Sequence, residues 1–427
     1  MAYAHSAEDR VEALDAADPR RRGVTARVLV LTALLIPADT YFIADLHRRG
    51  IEDPTIIALF WNVLFLFVAL RILNGIAARL SPRRALAQQE MLALWILVSV
   101  ATCPTGLDTL KTSWGTMQGY AYFQSPQNNW ERMFGEYVPE SMTVSDMGAL
   151  ERLWAGDHSI YEERNWRPWL GPVWRWVLLF SFMWGGSAGL AVLFRKRWVE
   201  RERMSFPIVQ VPFEISRPNM PSLGMAAFWV ALSLAVLVNL LNGLHSFYPG
   251  VPDIPVKIGQ EPALDLNRYL TGHPWRAMGR VYAAFYPFGI GLGLLIPQDL
   301  SLSMWLFFLL WRAEAVFVTW LGWTQATGFP FMKEQSFGGY LAILGFSLWA
   351  GRRYFRDVCW RIIGRGDPAM DADEPMRYQT AFLIFLAGFI AVTMLGVSIK
   401  LALAVAVAFF LQYYIMTMTV SYTHLTL

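Results

Sequence analysis

The sequence predicts an all-α protein, a polytopic transmembrane helix bundle of about ten spans. Of its 427 residues, 55% are hydrophobic and only 16% are charged, whereas a soluble domain carries about 25% charged residues. A bilayer core about 30 Å thick needs about 20 helical residues to cross it, and several apolar runs approach that length. The basic residues lie in short clusters beside these runs, as is typical of membrane proteins. The lipid bilayer is therefore the first predicted partner.

Ten apolar runs are the predicted spans. They cover 24–44, 55–78, 86–103, 172–194, 223–245, 281–297, 300–321, 338–351, 378–398 and 401–420. The first run follows a charged tail, and no small-residue cleavage site comes after it, so it is predicted to be a retained span and not a signal peptide. The transmembrane domain is thus predicted over 24–419, after a tail of residues 1–23.

Charge asymmetry orients the predicted spans. One set of connections holds Arg20–Arg22, Arg27, Arg71, Arg79, Arg83, Arg84, "RKRWVERER" at 195–203, Arg352, Arg353, Arg356, Arg361 and Arg365. The opposite set has few basic residues. Because cytoplasmic loops carry the excess of Lys and Arg, the amino terminus and the tail 1–23 are predicted to be cytoplasmic.

The stretch "LIPQDLSLSMW" poses a choice between one broken span and two spans joined by a turn. As one span, it would place the arginine cluster at 352–365 outside, against the charge rule. Two passes joined at Pro297-Gln298-Asp299 keep that cluster inside. The sequence therefore predicts a tight turn, with Asp299 near the cytoplasmic interface.

Two long connections are predicted on the outer face. The loop 104–171 between spans three and four is acidic and rich in tryptophan, whereas disordered segments are poor in aromatic residues. It is predicted to form an ordered extracytoplasmic cap. The loop 246–279 opens with "HSFYPGVPDIP", whose prolines favour an extended path over a regular helix.

Residues 420–427 are predicted to be a non-native tail. The segment "VSYTHL" ends an apolar helix without capping residues, and it resembles what a transposon-end sequencing adapter encodes. The natural protein is then expected to continue beyond this point, and the chain to be a fragment of it.

Motifs of soluble enzymes are absent: there is no Walker-type phosphate loop, no H-E-x-x-H and no nucleophile elbow. The glycines of "GIGLGL" at 289–294 and "WGGSAGLA" at 184–191 are assigned to close helix packing, which small residues allow in membranes. Cys103 and Cys359 are predicted on opposite membrane faces and lack metal-site spacing. Neither a cofactor nor a metal is predicted, and nucleic-acid binding is excluded because no continuous basic, aromatic-interleaved patch exists.

Ionisable residues at membrane depth are the candidates for substrate or ion binding, because burying them there is costly. They are Asp39, Glu90, Arg312 and Glu314, with Asp299 at the predicted interface. For Glu90, the alternative is an interfacial position near the cytoplasm. For Asp39, Arg312 and Glu314, it is a structural ion pair or a misplaced span boundary.

The depth of each residue below the cytoplasmic surface indicates which of these side chains can meet. Arg312 and Asp39 lie at similar depths, about 18 and 22 Å from the cytoplasmic side, whereas Glu90 lies only about 6 Å in. Arg312 and Glu314 are about 200° apart on one helix and point to opposite faces. The sequence therefore predicts that Asp39 pairs with Arg312, and that Glu314 faces a hydrated cavity as a proton or substrate-amine site.

Several segments resemble those of a known family. They are "RALAQQEML", "YFQSPQNNWERMFGEYVPE", "RKRWVERERMSFPIVQVPFEI", "NGLHSFYP", "LLIPQDLSLSMWLFF", "EQSFGGYLAI" and "DEPMRYQTAFL". From about residue 25 to 419 the chain is similar to an uncharacterised family of large bacterial multi-pass proteins, placed loosely near the oligopeptide transporters. The resemblance implies the membrane class, a bacterial inner membrane as the location, and further helices after the tenth span. It implies no catalytic or binding residues.

The leading functional hypothesis is a secondary transporter or permease of a small polar solute, with peptides as one candidate and a proton as one coupling ion. Buried charges, proline-broken helices and the lack of a nucleotide-binding domain favour it. The first alternative is a membrane-embedded enzyme that acts on a lipid-linked or glycan substrate at the outer face, with Asp157, Glu162 and Glu163 as available carboxylates. The second is a non-catalytic scaffold or sensor.

Overall fold

The computed structural model describes residues 23–49, 54–55, 59–81, 84–156, 158–159, 161–202, 206–217, 224–256, 264–323 and 331–426. Helices dominate these residues, which confirms the all-α class. The strands found in the described ranges are the short antiparallel pair β1, Leu264–Asp265, and β2, Tyr282–Ala283. The predicted tail 1–23 lies outside the described residues except for Gly23.

The helices follow in chain order. The first are α1 Ala26–Arg48, α2 Trp61–Leu80, α3 Gln88–Thr102, α4 Thr112–Phe123, α5 Trp130–Phe134, α6 Met147–Ala155, α7 Glu163–Lys196 and α8 Pro207–Ser216. The others are α9 Ala226–Phe247, α10 Pro287–Gly293, α11 Gln298–Trp320, α12 Met332–Ala350, α13 Arg352–Ile362, α14 Tyr378–Ser398 and α15 Leu403–Thr426. The chain divides into two compact units: unit one is Met1–Leu178 with Ile208–Met220, and unit two is Leu179–Pro207 with Pro221–Leu427.

Within the described part of the chain, eight helices are long and apolar enough to cross a membrane. They contain α1, α2, α3 with α4, α7, α9, α11, α14 and α15. Helix α9 has no buried residue and exposes large side chains such as Trp229 and Leu234. Exposed apolar surface of this extent is unfavourable in water and marks contact with lipid. The protein is therefore a multi-pass integral membrane protein.

Two predicted spans do not correspond to such helices. Within 281–297 the structure has β2 and the seven-residue α10, which is only about 10 Å long. The prediction of a continuous helical span there is wrong, because Pro287 and three closely spaced glycines interrupt the apolar run. Residues 338–350 of the run 338–351 lie within α12, and Gly351 follows the end of this helix. Helix α12 has 19 residues but is not among the eight, because Lys333 and Glu334 in its first turn lower its mean hydropathy.

The predicted loop 104–171 contains more helix than expected. Short helical turns at Cys103–Thr105 and Leu107–Lys111 connect α3 to α4, and α7 begins at Glu163, nine residues before the predicted start of span four. Met117, Val144, Leu150 and Trp169 form a buried cluster. The segment is thus ordered around an apolar core of its own, while its position outside the membrane stays a prediction.

Glycines allow close helix packing inside unit two. A Cβ on Gly186 would overlap the Tyr414 side chain, and one on Gly388 would lie 2.8 Å from the Phe182 carbonyl oxygen. The packing role predicted for "WGGSAGLA" is therefore confirmed at Gly186. It is not supported for "GIGLGL", since a Cβ on Gly291 would meet no atom within 4 Å.

The remaining predictions concern the second loop and the chain end. Residues 248–256 form no helix, in agreement with their prolines. Helix α15 continues to Thr426, so the predicted non-native tail from 420 is helical in the described residues. This conformation does not bear on its origin.

Candidate functional site: a buried carboxyl cluster in unit one

Asp39 lies in α1 on the face that packs against α2 and α3. Asp39 is only 4% exposed, although none of its hydrogen-bond partners is a cation. Pro37 precedes it inside the helix and has no N–H to donate to the carbonyl of Ala33, which loosens the backbone beside the carboxyl. The carboxyl group therefore lies in an apolar, locally weakened part of a candidate span.

Two neutral side chains contact the Asp39 carboxyl. The Asn62 Nδ2 atom donates to Oδ1 at 2.8 Å, and the Thr102 hydroxyl lies 2.7 Å from Oδ2. Asn62 and Thr102 are 2% and 1% exposed, so the whole cluster is closed to solvent. The Asn62 Oδ1 atom is buried without a hydrogen-bond partner. An isolated carboxylate is expensive to bury in such surroundings.

Glu90, at the start of α3, is held in a different way. The Arg27 Nε atom donates to its carboxylate at 2.7 Å, Nη2 donates to the second oxygen, and the Thr25 hydroxyl adds a bond of 2.7 Å. The Ala87 N–H completes the set at 3.0 Å. These contacts tie the first turn of α1 to the first turn of α3. Glu90 therefore has a structural role, and a binding role for it stays a prediction.

Arg312 is held within unit two by main-chain oxygens, although its Nε atom is buried without a hydrogen-bond partner. Its Nη1 and Nη2 atoms donate to the carbonyls of Met278 and Arg280 at 3.0 and 2.9 Å, and the guanidinium lies 4.2 Å from the Trp311 ring centroid. Because Arg312 is about 21 Å from the start of α11, residues 278–280 lie beside the later part of that helix. The chain therefore does reverse before α11, where the sequence predicts a turn.

Glu314 and Asp299 lie on the same helix as Arg312. The Glu314 carboxylate accepts a bond of 2.9 Å from Gln335 of α12 and is partly exposed, so Arg312 and Glu314 have separate partners, as their rotation predicts. Asp299 is exposed in the first turn of α11. The predicted pair of Asp39 with Arg312 involves both units and stays a prediction.

An aromatic cleft in unit one was not predicted. It has a volume of about 290 Å³, and its walls include Trp114, Trp166, Trp169, Arg152, His158 and Asn165. Trp114 and Trp169 stack with ring centroids 4.3 Å apart. The number of tryptophans in 104–171 pointed to an ordered segment, but their spacing along the chain does not indicate a shared cleft.

The outer-loop carboxylates proposed for an enzyme do not form a pair in the described residues. Glu162 pairs with Arg164 and Glu163 with Arg167, on exposed surface. Asp157 lies outside the described residues. Among the residues that the structure describes, no group of three or more His, Cys, Asp or Glu side chains could hold a metal ion.

The family assignment comes from a comparison with protein-family models. The model of a family of unknown function, DUF6785, matches residues 18–425. The chain belongs to DUF6785. This confirms the resemblance to an uncharacterised family over nearly the whole length. No curated protein and no solved structure matches this DUF6785 chain.

Proposed function

We propose that this DUF6785 protein is a secondary transporter of a small polar solute, such as a peptide, in a bacterial inner membrane, and that a proton drives it. The observation that carries the proposal is the Asp39 carboxyl, buried between three candidate spans with only neutral partners. Ionisable side chains at membrane depth are costly and mark ion or substrate pathways.

The surroundings of Asp39 fit a site that changes its occupancy during a cycle. A structural carboxylate in a membrane is normally paired, as Glu90 is with Arg27, because an unpaired buried charge costs several kcal/mol. Asp39 has no such partner among its hydrogen bonds. Proline-interrupted helices beside a buried polar group are a further property of secondary transporters.

Uptake into vesicles tests the proposal. The full chain is reconstituted into liposomes, and uptake of a panel of peptides and other polar solutes is measured with and without an inward proton gradient. We expect gradient-dependent uptake of one solute class, and its loss in Asp39→Asn. The matched control is Asp45→Asn, which changes the same residue type in the same helix at a surface ion pair with Arg48 and Arg49.

The same assay separates the alternatives. If Asp39→Asn retains uptake and Glu314→Gln loses it, the coupling site is Glu314 in α11 and not Asp39. If no solute is taken up, the transporter proposal fails, and a scaffold or sensor that tolerates neutralised membrane charges becomes the better hypothesis.

The aromatic cleft supports a second candidate, binding of a glycan or lipid-linked sugar by unit one. Tryptophan faces pack against sugar rings, and Arg152, His158 and Asn165 supply polar groups for hydroxyls. We expect oligosaccharides to change tryptophan fluorescence in the wild type and in Trp174→Phe, whose ring is exposed and outside the cleft, but less in Trp166→Ala. Equal responses in both variants would reject the cleft as the site.

A further inference from the structure

The Thr102 hydroxyl has two neighbours that could each accept its single proton. Its Oγ1 atom lies 2.7 Å from Asp39 Oδ2 and 2.9 Å from the carbonyl oxygen of Val98. A hydroxyl donates one hydrogen bond and accepts up to two. A single O–H can be shared between two acceptors, but both contacts are full, unshared hydrogen bonds at the same moment only if the Asp39 carboxyl supplies a proton of its own.

The carbonyl of Val98 is the ordinary acceptor for this hydroxyl. Threonine in a helix commonly donates to the carbonyl four residues earlier, and the distance here is that of a normal hydrogen bond. Thr102 Oγ1 is then left as an acceptor toward α1. A neutral Asp39 that donates to it also avoids the cost of an isolated charge in an apolar interior.

We propose that Asp39 binds one exchangeable proton and that Thr102 is the hydroxyl switch that accommodates both protonation states. In the protonated state, Asp39 donates to Thr102 Oγ1, and Thr102 donates to the Val98 carbonyl. When the cluster opens to water and the proton leaves to a water molecule, only the Asp39 O–H bond breaks, and the Thr102 hydroxyl turns from Val98 to the new carboxylate. The inference deepens the proposed function by naming its coupling site.

Charged groups on the three helices are engaged away from this cluster. On α1, Asp45 binds Arg48 and Arg49, one to two turns after Asp39. On α3, Glu90 binds Arg27, about 18 Å along the helix from Thr102. Arg71 of α2 donates to the Arg217 carbonyl, and the Cys103 thiol next to Thr102 donates to the Ser99 carbonyl. His47 and Arg79, the other basic residues of α1 and α2, lie about 12 and 26 Å along their helices from Asp39 and Asn62. Protonation is therefore the simplest way to neutralise Asp39.

The orientation of Asn62 favours a proton over a metal cation. Its amide nitrogen points to Asp39 Oδ1, whereas sodium and other hard cations are bound by oxygen atoms. The oxygen Asn62 Oδ1 is buried without a hydrogen-bond partner. A cation site would require this side chain to turn over.

Infrared difference spectroscopy tests the inference on the purified full chain in lipid nanodiscs, without any transported solute. The difference between wild type and Asp39→Asn is expected to contain a protonated-carboxyl C=O band that disappears as pH rises and shifts in D₂O. Asp45→Asn is the control and is expected to retain the band. Carboxylate bands of Asp39 at every pH, or bands that respond to sodium at fixed pH but not to pH, would overturn the proposal.

Variants at Thr102 provide a second readout that remains if Asp39→Asn does not fold. Thr102→Val removes the acceptor of the Asp39 proton, so the C=O band is expected to move to higher frequency. Thr102→Ser keeps the hydroxyl and is expected to leave the band nearly in place. An unchanged band in Thr102→Val would show that Thr102 does not accept the proton. A titrating band with no uptake in the vesicle assay would support proton binding and reject transport.

Discussion

At the scale of single residues, Asp371 shows how a buried carboxyl outside the candidate spans is stabilised. Both of its oxygens lie 3.0 Å from Arg361 Nε, and the N–H of Tyr378 donates to Oδ2 at 3.0 Å. Burial raises the pKa of Asp371, but the hydrogen bonds from Tyr378 and Arg361 outweigh it and hold the pKa below its usual value. The folded protein therefore favours the ionised form.

This lowered pKa predicts a loss of stability in acid. A carboxyl whose pKa is lower in the folded state contributes stability above its unfolded pKa of about 3.9, and that contribution disappears as pH falls through the folded pKa. We expect Asp371→Asn to lower the free energy of unfolding by about 1–3 kcal/mol at neutral pH, and to have a smaller effect below about pH 4. Thermal unfolding in detergent at several pH values measures this.

The matched control for that experiment is the neighbouring Asp373, which is exposed. Asp373→Asn is expected to leave the unfolding temperature almost unchanged at every pH. An Asp371→Asn variant that is as stable as Asp373→Asn at neutral pH would contradict the structural role of the carboxyl.

The sequence predicts which single residues are candidates, but it does not predict which side chains contact them. Asp39 was a candidate because its charge is conspicuous in an apolar span. Asn62 and Thr102 are 23 and 63 residues away from it, and neither is unusual in its own helix. Their meeting depends on how α1, α2 and α3 pack, which hydropathy does not describe. For the same reason, the sequence did not indicate that Glu90 and Arg27 pair.

At the scale of elements, the contact of α7 with α14 and α15 depends on glycine. Gly186→Ala places a methyl group against Tyr414, and overpacking of this kind typically costs about 1–3 kcal/mol. A methyl group on the adjacent Gly185 would meet no atom within 4 Å. We expect Gly186→Ala to lower the unfolding temperature and Gly185→Ala to preserve it, measured side by side. Equal stability of the two variants would contradict the close approach.

Elements were predicted best where the chain is continuously apolar. The runs that became α1, α2, α9, α11 and α14 were found because length and hydropathy are sufficient signals. The run 281–297 has the same hydropathy, but Pro287 and the glycines after it favour a broken path. The helices of 104–171 were missed as elements because tryptophan and charged residues lower their hydropathy, although their core is buried.

At the scale of the whole molecule, the arginine-rich segments constrain the topology. Within unit two, Arg195 in the last turn of α7 binds Glu374 at 2.7 Å. The Arg201 guanidinium lies 4.9 Å from the Tyr354 ring centroid of α13. The described residues 195–202 and the segment 352–365 therefore lie together in unit two, in agreement with the charge rule, which predicts both on one side of the membrane. The chain must cross an even number of times between them. The four crossings of the ten-span prediction satisfy this condition.

Cysteine labelling in whole cells tests the predicted orientation. With Cys103 and Cys359 replaced, single cysteines at Lys111 and Glu151 are expected to react with an impermeant thiol reagent. Cysteines at Glu200 and Arg356 are expected to react only after the membrane is permeabilised. All four positions are exposed, so a lack of reaction reports the side of the membrane and not burial within the protein.

Cysteines at Glu200 and Arg356 also test whether the chain crosses the membrane an even number of times between α7 and α13. If both react in intact cells while Lys111 and Glu151 do not, the orientation is inverted, but the even number of crossings remains. If only one of them reacts, an odd number of crossings separates α7 from α13. That result would contradict the contacts of Arg195 and Arg201 with the segment 354–374, because residues on opposite faces of a bilayer about 30 Å thick cannot form them.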